Sequence, residues 1–98
     1  MVREDIRNKL SDRYELGDES KPIIFENPSF DNSIVGITVT GDCDRLVYDY
    51  DLMVDEYQHD NNCELQYAIN FVEYNIMRNT MRAYSKLGNS PIIITRRL

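Results

Sequence analysis

The chain has 98 residues, of which 42% are hydrophobic and 29% charged, a balance typical of one globular domain rather than of a disordered segment. No apolar run approaches the roughly 20 residues that a membrane-spanning helix needs, so the sequence predicts no membrane association. The formal net charge of −6 argues against direct binding to the phosphates of nucleic acids.

The N-terminal segment has the pattern of an amphipathic helix over residues 2–16. Its apolar residues recur at every fourth position: Val2, Ile6, Leu10 and Tyr14. The apolar stripe is narrow, so we expect this helix to lie at the periphery of the domain. The start of the chain lacks the apolar core of a signal peptide, which predicts a cytoplasmic location.

Two β-rich runs with a polar turn between them form the centre of the chain. Apolar residues alternate with small or polar ones over 34–40 and again over 46–50, which is the period of a half-buried strand. The turn at 41–44 contains Gly and Asp, so the two runs predict a β-hairpin. A shorter apolar run at 23–25 predicts an edge strand before the hairpin.

A short helix is predicted after the hairpin. Asp51 is a suitable N-cap, and the helix is expected to end near Gln58. Asn61 followed by Glu64 resembles a capping box for the next helix. The residues between Gln58 and Cys63 are therefore expected to separate two helices.

The second half of the chain predicts a long helix over 63–84 and a buried strand over 92–95. The apolar residues that give the helical period are Leu65, Ala68, Ile69, Val72 and Ile76 and, less strictly, Met77 and Tyr84. With the earlier elements, this order predicts an α+β fold. Its sheet would be small and mainly antiparallel, built from the central hairpin and the C-terminal strand, with the helices packed on one face. We predict a single domain over 1–98, with a peripheral helix and linker at 1–21 and the α+β core at 22–98.

Charge is segregated along the chain. Residues 26–73 carry eleven acidic side chains and one basic side chain, whereas residues 74–98 carry five basic and no acidic ones. The acidic stretch would suit a protein partner with a basic surface, and the alternative is a solvated face that maintains solubility. The predicted partner-binding residues are Asp42, Asp44, Asp49, Asp51, Asp55, Glu56, Asp60 and Glu64.

Three potential metal ligands stand out in this stretch: Cys43, His59 and Cys63. Zinc takes thiolate and imidazole ligands in a tetrahedral set, and a nearby carboxylate could complete it. Such a structural zinc ion would pin the hairpin tip to the helices. The alternative is that Cys63 is a small buried hydrophobe and His59 a loop residue.

The sequence predicts no enzymatic activity. A Cys/His nucleophile pair needs an orienting group and an oxyanion hole, and His59 and Cys63 are only close in sequence. Pairs of carboxylates are frequent in so acidic a stretch, so they do not indicate catalysis.

Several short motifs from Phe30 onward form a recognisable pattern: Phe30-Asp31, Ile34-Val35-Gly36-Ile37-Thr38, Val47-Tyr48-Asp49-Tyr50 with Met53, Ala68-Ile69, and Phe71-Val72-Glu73-Tyr74-Asn75. This pattern resembles a small protein family found mainly in bacteriophages and prophages, over about two-thirds of the chain. The turn at 41–44 is longer than the tight turn usual in that family, and it places a cysteine at the hairpin tip.

The resemblance implies a function in the bacterial host cell. Small phage proteins of this size often inhibit host defence systems, so it implies stoichiometric inhibition of a nucleic-acid-handling defence protein, such as a CRISPR effector. The alternative is a metal-stabilised structural or assembly subunit with no inhibitory role. A third interpretation, a transcriptional regulator that uses the basic segment 78–97, is opposed by the acidic middle of the chain.

Overall fold

The computed structural model describes residues 3–14, 21–38, 44–84 and 88–95. The helices of these residues are α1 (Arg3–Arg13), a 3-10 helix (Pro28–Ser33), α2 (Tyr50–Asn61), α3 (Leu65–Phe71), a π-helical segment (Val72–Thr80) and α4 (Met81–Tyr84). The strands are β1 (Ile34–Ile37), β2 (Leu46–Asp49) and β3 (Ile92–Ile94). Within the described ranges, no helix is long and apolar enough to cross a membrane.

The three strands form one sheet with β2 in the centre. β1 pairs antiparallel with β2, and the register shifts between Ile34 and Gly36. β3 pairs with β2 in parallel. It lies at an edge of the described sheet and Ile94 is 37% exposed, so the predicted burial of this strand is wrong. A parallel pair needs a long crossover between its strands, and the helices from α2 to α4 supply it. The predicted α+β fold, with its small sheet of hairpin and C-terminal strand, is confirmed, while residues 39–43 of the hairpin connection lie outside the described ranges.

The core is built from aromatic side chains of distant segments. The rings of Phe25 and Tyr48 lie 4.6 Å apart, and those of Phe25 and Phe30 lie 6.2 Å apart, edge to face. On the helical side, the rings of Tyr57 and Phe71 stack at 4.1 Å. These contacts join the segment before the 3-10 helix, the central strand and two helices in one hydrophobic cluster.

Helix α1 contributes to this core, although its narrow apolar stripe predicted a peripheral position. Leu10 and Tyr14 are both buried in the hydrophobic cluster. The partly exposed Arg7 forms a two-pronged ion pair with the buried Asp31, with Nε 2.7 Å from Oδ2 and Nη2 3.1 Å from Oδ1. The Arg7 guanidinium also donates to the Phe25 carbonyl oxygen at 3.3 Å. The helix is therefore held by two buried apolar side chains and by a charge pair; the expected linker, residues 15–20, lies outside the described ranges.

Helix α2 begins at Tyr50, directly after the last residue of β2, and it extends beyond the predicted end near Gln58. Asp49, not Asp51, is its N-cap, and the Leu52 amide donates to Asp49 Oδ1 at 3.1 Å. Asp49 has extended backbone angles as the last residue of β2, which is the conformation that an N-cap needs. Asn62 follows the helix as its C-cap. Its backbone is left-handed, with φ of 48°, a conformation that asparagine tolerates.

The predicted capping box between α2 and α3 is wrong. Asn61 lies in the last turn of α2, where its side-chain amide donates to the Tyr57 carbonyl oxygen at 2.9 Å. Glu64 is the N-cap residue of α3, but its side chain accepts no capping hydrogen bond.

The long helix is confirmed as one continuous helical stretch from α3 through the π-helical segment to α4. Ala68, Val72 and Ile76 form its buried stripe, as the apolar periodicity predicted, whereas Leu65 at its start is 52% exposed. The π-helical spacing is visible at its C-terminal end, where the Met81 amide donates to the Ile76 carbonyl oxygen. The extra residue in this turn shifts the following side chains around the helix axis.

The apolar run at 23–25 forms no strand in the structure, which contradicts the predicted edge strand. Ile23 donates its amide hydrogen to the Asn89 carbonyl oxygen at 3.0 Å, and the Asn89 side chain donates to the Lys21 carbonyl oxygen at 2.7 Å. These bonds tie the segment to the turn before β3. The Phe25 amide donates to the buried Tyr48 hydroxyl at 3.1 Å. The backbone of this segment therefore forms its hydrogen bonds with the C-terminal turn and with a core side chain, and not with a neighbouring strand.

Candidate partner-binding surface

Three exposed carboxylates of the acidic stretch lie on and just after α2. Asp55 and Asp60 are exposed on the helix, and Glu64 is exposed at the start of α3, whereas Glu56 is half-buried. Helix α2 contains no lysine or arginine. We call Asp55, Asp60 and Glu64 the α2 acidic end.

The backbone of α2 adds to the negative potential of this surface. The carbonyl end of a helix carries roughly half a negative charge, and an acid placed there costs about 0.3–1 kcal/mol. Asp60 lies in the last turn of α2, whereas Asp55 lies near the middle of the helix. Asp60 therefore sits at the unfavourable end of its own helix, and Asp55 adds a further negative charge to the same helix.

Three other acids of the predicted set are used to hold the fold. Asp49 is only 2% exposed and caps α2, so it cannot contact a partner, and its place in the predicted partner-binding set is wrong. Asp44 accepts a hydrogen bond from the Tyr14 hydroxyl and lies 3.9 Å from the Arg13 guanidinium. Asp51 is half-buried and accepts a hydrogen bond from the Thr95 hydroxyl at 3.2 Å. Asp42 lies outside the described residues.

Two of the three predicted metal ligands lie around one open depression. Asp55, His59 and Cys63 all line it, together with Gln58 and Asn62. His59 belongs to the last turn of α2 rather than to a loop, and Cys63 packs partly against the core. Across the described ranges, no three His, Cys, Asp or Glu side chains are grouped closely enough to hold a metal ion. Cys43 lies outside these ranges, so the zinc site stays a prediction.

A second exposed surface, of opposite charge, lies on the π-helical segment. Tyr74 and Met77 are exposed, and the Arg78 guanidinium lies 5.1 Å from the centre of the Tyr74 ring. The sequence placed Met77 less strictly in the buried stripe of the long helix, but Met77 is 42% exposed. Aromatic, methionine and arginine side chains are enriched in protein interfaces, so the composition of this segment could have indicated an interface from the sequence.

Comparison of the chain with protein-family models, with curated proteins and with solved structures finds no match. The resemblance to a phage family therefore rests on the residue pattern from Phe30 onward alone. Functional proposals for this protein depend on its own surface chemistry.

Proposed function

We propose that this protein is a small binding protein that acts by stoichiometric contact with a partner protein of basic surface. The observation that supports this proposal is the α2 acidic end, where three exposed carboxylates lie on or just after a helix that contains no lysine or arginine. The negative charge of Asp60 is unfavourable at the carbonyl end of this helix in the free protein, and it becomes favourable when a cationic surface covers it. Burial of Asp49 restricts the contact to the exposed members of the acidic stretch.

The class of partner in this proposal comes from the resemblance to phage proteins. A protein that handles nucleic acid has a basic surface, and an acidic protein can compete with phosphates for it. We therefore propose a phage- or mobile-element-encoded inhibitor that acts in the bacterial cytoplasm on a host defence protein, such as a CRISPR effector. In this proposal the protein itself binds no nucleic acid and catalyses no reaction.

The test is affinity capture of the tagged protein from a bacterial lysate that expresses defence systems. We expect one stoichiometric nucleic-acid-binding protein, released at high salt because exposed charges are screened. The variant Asp55→Lys/Asp60→Lys should bind this protein at least about 30-fold more weakly, since each reversed contact costs about 1 kcal/mol or more. Its melting temperature should be nearly unchanged, because both substituted side chains are exposed.

A matched control separates a specific surface from a general effect of net charge. Asp12 and Glu26 are exposed acids on α1 and before the 3-10 helix, so Asp12→Lys/Glu26→Lys makes the same charge change elsewhere. This control should retain binding. Equal loss in both variants, or full binding by the α2 variant, would contradict the proposal.

The second candidate function is a metal-stabilised assembly subunit, which the position of His59 and Cys63 around one depression favours. Zinc would be held by this imidazole and thiolate together with the predicted third ligand Cys43, and it would pin the hairpin to the helices. Protein purified without chelator should then contain about one zinc ion per chain, as expected for one structural site. A chelator should lower the melting temperature of the native protein but not that of His59→Ala/Cys63→Ser. Zinc-free protein that is insensitive to chelator would exclude this candidate.

A further inference from the structure

An apolar groove lies between α1 and the edge strand β1, and none of its described lining residues belongs to the α2 acidic end. Its volume is about 240 Å³, and all four residues of β1 line it. The buried side chains of Leu10 and Leu46 form its base, and the exposed side chains of Lys9 and Arg13 border it. The groove is therefore an apolar slot with two cations at its rim.

The groove is open because of the residue types in β1. A methyl group added at Gly36 would meet nothing within 4 Å, so the missing side chain leaves this space free. Val35 lies where the register of β1 and β2 shifts, and it is 43% exposed. Among the described strands, β1 pairs with β2 alone, so its other edge offers main-chain groups for pairing.

We propose that this groove binds an extended peptide segment of a protein partner, with aliphatic side chains in the slot and a carboxylate against Lys9 and Arg13. Pockets for drug-sized ligands span about 300–1,000 Å³, and this groove is smaller. Its size suits one or two aliphatic side chains. Alternate residues of an extended strand point to the same side, so a peptide beside β1 can place such side chains in the slot.

The charge at the groove selects the partner. Lys9 and Arg13 lie one helical turn apart on the same face of α1, and both border the slot. Arg13 also lies 3.9 Å from the Asp44 carboxylate, so Lys9 is the cation with the larger expected effect. An acidic residue next to the aliphatic ones gains from both cations, whereas a basic peptide is repelled. The groove therefore suits an acidic partner, whereas the α2 acidic end suits a basic one. The proposal for the groove does not depend on the proposed function.

The test is selection of a random peptide library displayed on phage against the full chain. We expect enriched peptides with aliphatic residues at alternate positions and an adjacent Asp or Glu. An enriched peptide, synthesised with a fluorescent label, should bind more than about tenfold more weakly to Gly36→Leu, which fills the slot, as fluorescence polarisation measures. Lys9→Glu/Arg13→Glu should weaken binding similarly and remove most of its salt dependence.

Thermal unfolding of each variant shows whether it is folded. The charge-reversal variant changes only exposed side chains, so it tests the proposal even if Gly36→Leu is destabilised. Asp55→Lys/Asp60→Lys should bind the peptide as well as the native chain does. The proposal is overturned if no peptide is enriched, or if enriched peptides bind the folded groove variants unchanged. A concentration-dependent dimer that Gly36→Leu abolishes, with no peptide enriched, would assign the groove to self-association instead.

Discussion

Replacement of Tyr48 by alanine is expected to remove about 4 kcal/mol from the free energy of unfolding, within the range for truncating a buried aromatic residue. Tyr48 is 0% exposed on the central strand, and its ring packs 4.6 Å from that of Phe25. A domain of this size has a total stability of about 5–15 kcal/mol, so the loss is a large share of it. Urea denaturation followed by circular dichroism measures the effect.

The hydroxyl of Tyr48 has a separate role. The Phe25 amide donates to it at 3.1 Å, and that bond ties the segment before the 3-10 helix to the central strand. Tyr48→Phe leaves this buried amide without a partner, which should cost about 1–3 kcal/mol. The control is Tyr74→Phe, because Tyr74 is 57% exposed and its loss of a hydroxyl should cost almost nothing. Equal effects at the two positions would contradict the assigned role.

Tyr48 also lowers the stability of the protein at alkaline pH. Burial of the side chain raises the pKa of the Tyr48 hydroxyl far above its ordinary value of about 10. Above that ordinary value the unfolded chain loses the proton while the folded chain keeps it, so stability falls as pH rises. The fall should be shallower in Tyr48→Phe. It should not vanish, because burial also raises the pKa of Tyr50 and of Tyr57.

Arg7→Met is expected to destabilise the protein by about 3 kcal/mol, the lower end of the range for breaking a buried ion pair, because Arg7 is itself partly exposed. The Asp31 side chain is 0% exposed, so the substitution leaves a buried carboxylate without its cation. The Phe25 carbonyl oxygen loses a donor at the same time. Methionine keeps much of the apolar stem, so the loss reports the charge and the hydrogen bonds rather than packing. Chemical denaturation again measures the difference.

The double variant Arg7→Met/Asp31→Asn tests the reason for this loss. A neutral amide is easier to bury than an unpaired carboxylate, so the second substitution should recover about half of the lost stability. Arg78→Met, on the exposed face of the π-helical segment, is the matched control and should cost less than about 1 kcal/mol. A destabilisation that Asp31→Asn deepens would show that the carboxylate is held by other contacts.

The elements that could be predicted are those whose signal lies in neighbouring residues. Alternating apolar residues predicted β1 and β2, and the helical repeat of Ala68, Val72 and Ile76 predicted the buried stripe of the long helix. Both signals come from the fixed geometry of strands and helices. The start of α2 was missed by two residues, because both Asp49 and Asp51 can cap a helix and the end of β2 selects between them.

The candidate site was predicted only as a set of residues. Composition identified the acidic stretch, but it could not separate the capping role of Asp49 from the exposure of Asp55 and Asp60. The groove was not predicted at all. It needs α1 beside β1, and these elements are separated in sequence, so no local pattern contains it.

Local patterns were enough to predict the α+β class, the long helix, the C-terminal strand and the concentration of acid in the middle of the chain. These features depend on side chains a few residues apart, where covalent geometry sets the repeat. Packing between distant segments places α1 against the core, brings Arg7 to Asp31 and leaves particular carboxylates exposed. The contact between Arg7 and Asp31 joins residues 24 positions apart. Such contacts depend on how the apolar faces pack together, because burial acts between any surfaces that meet and leaves no short-range repeat in the sequence.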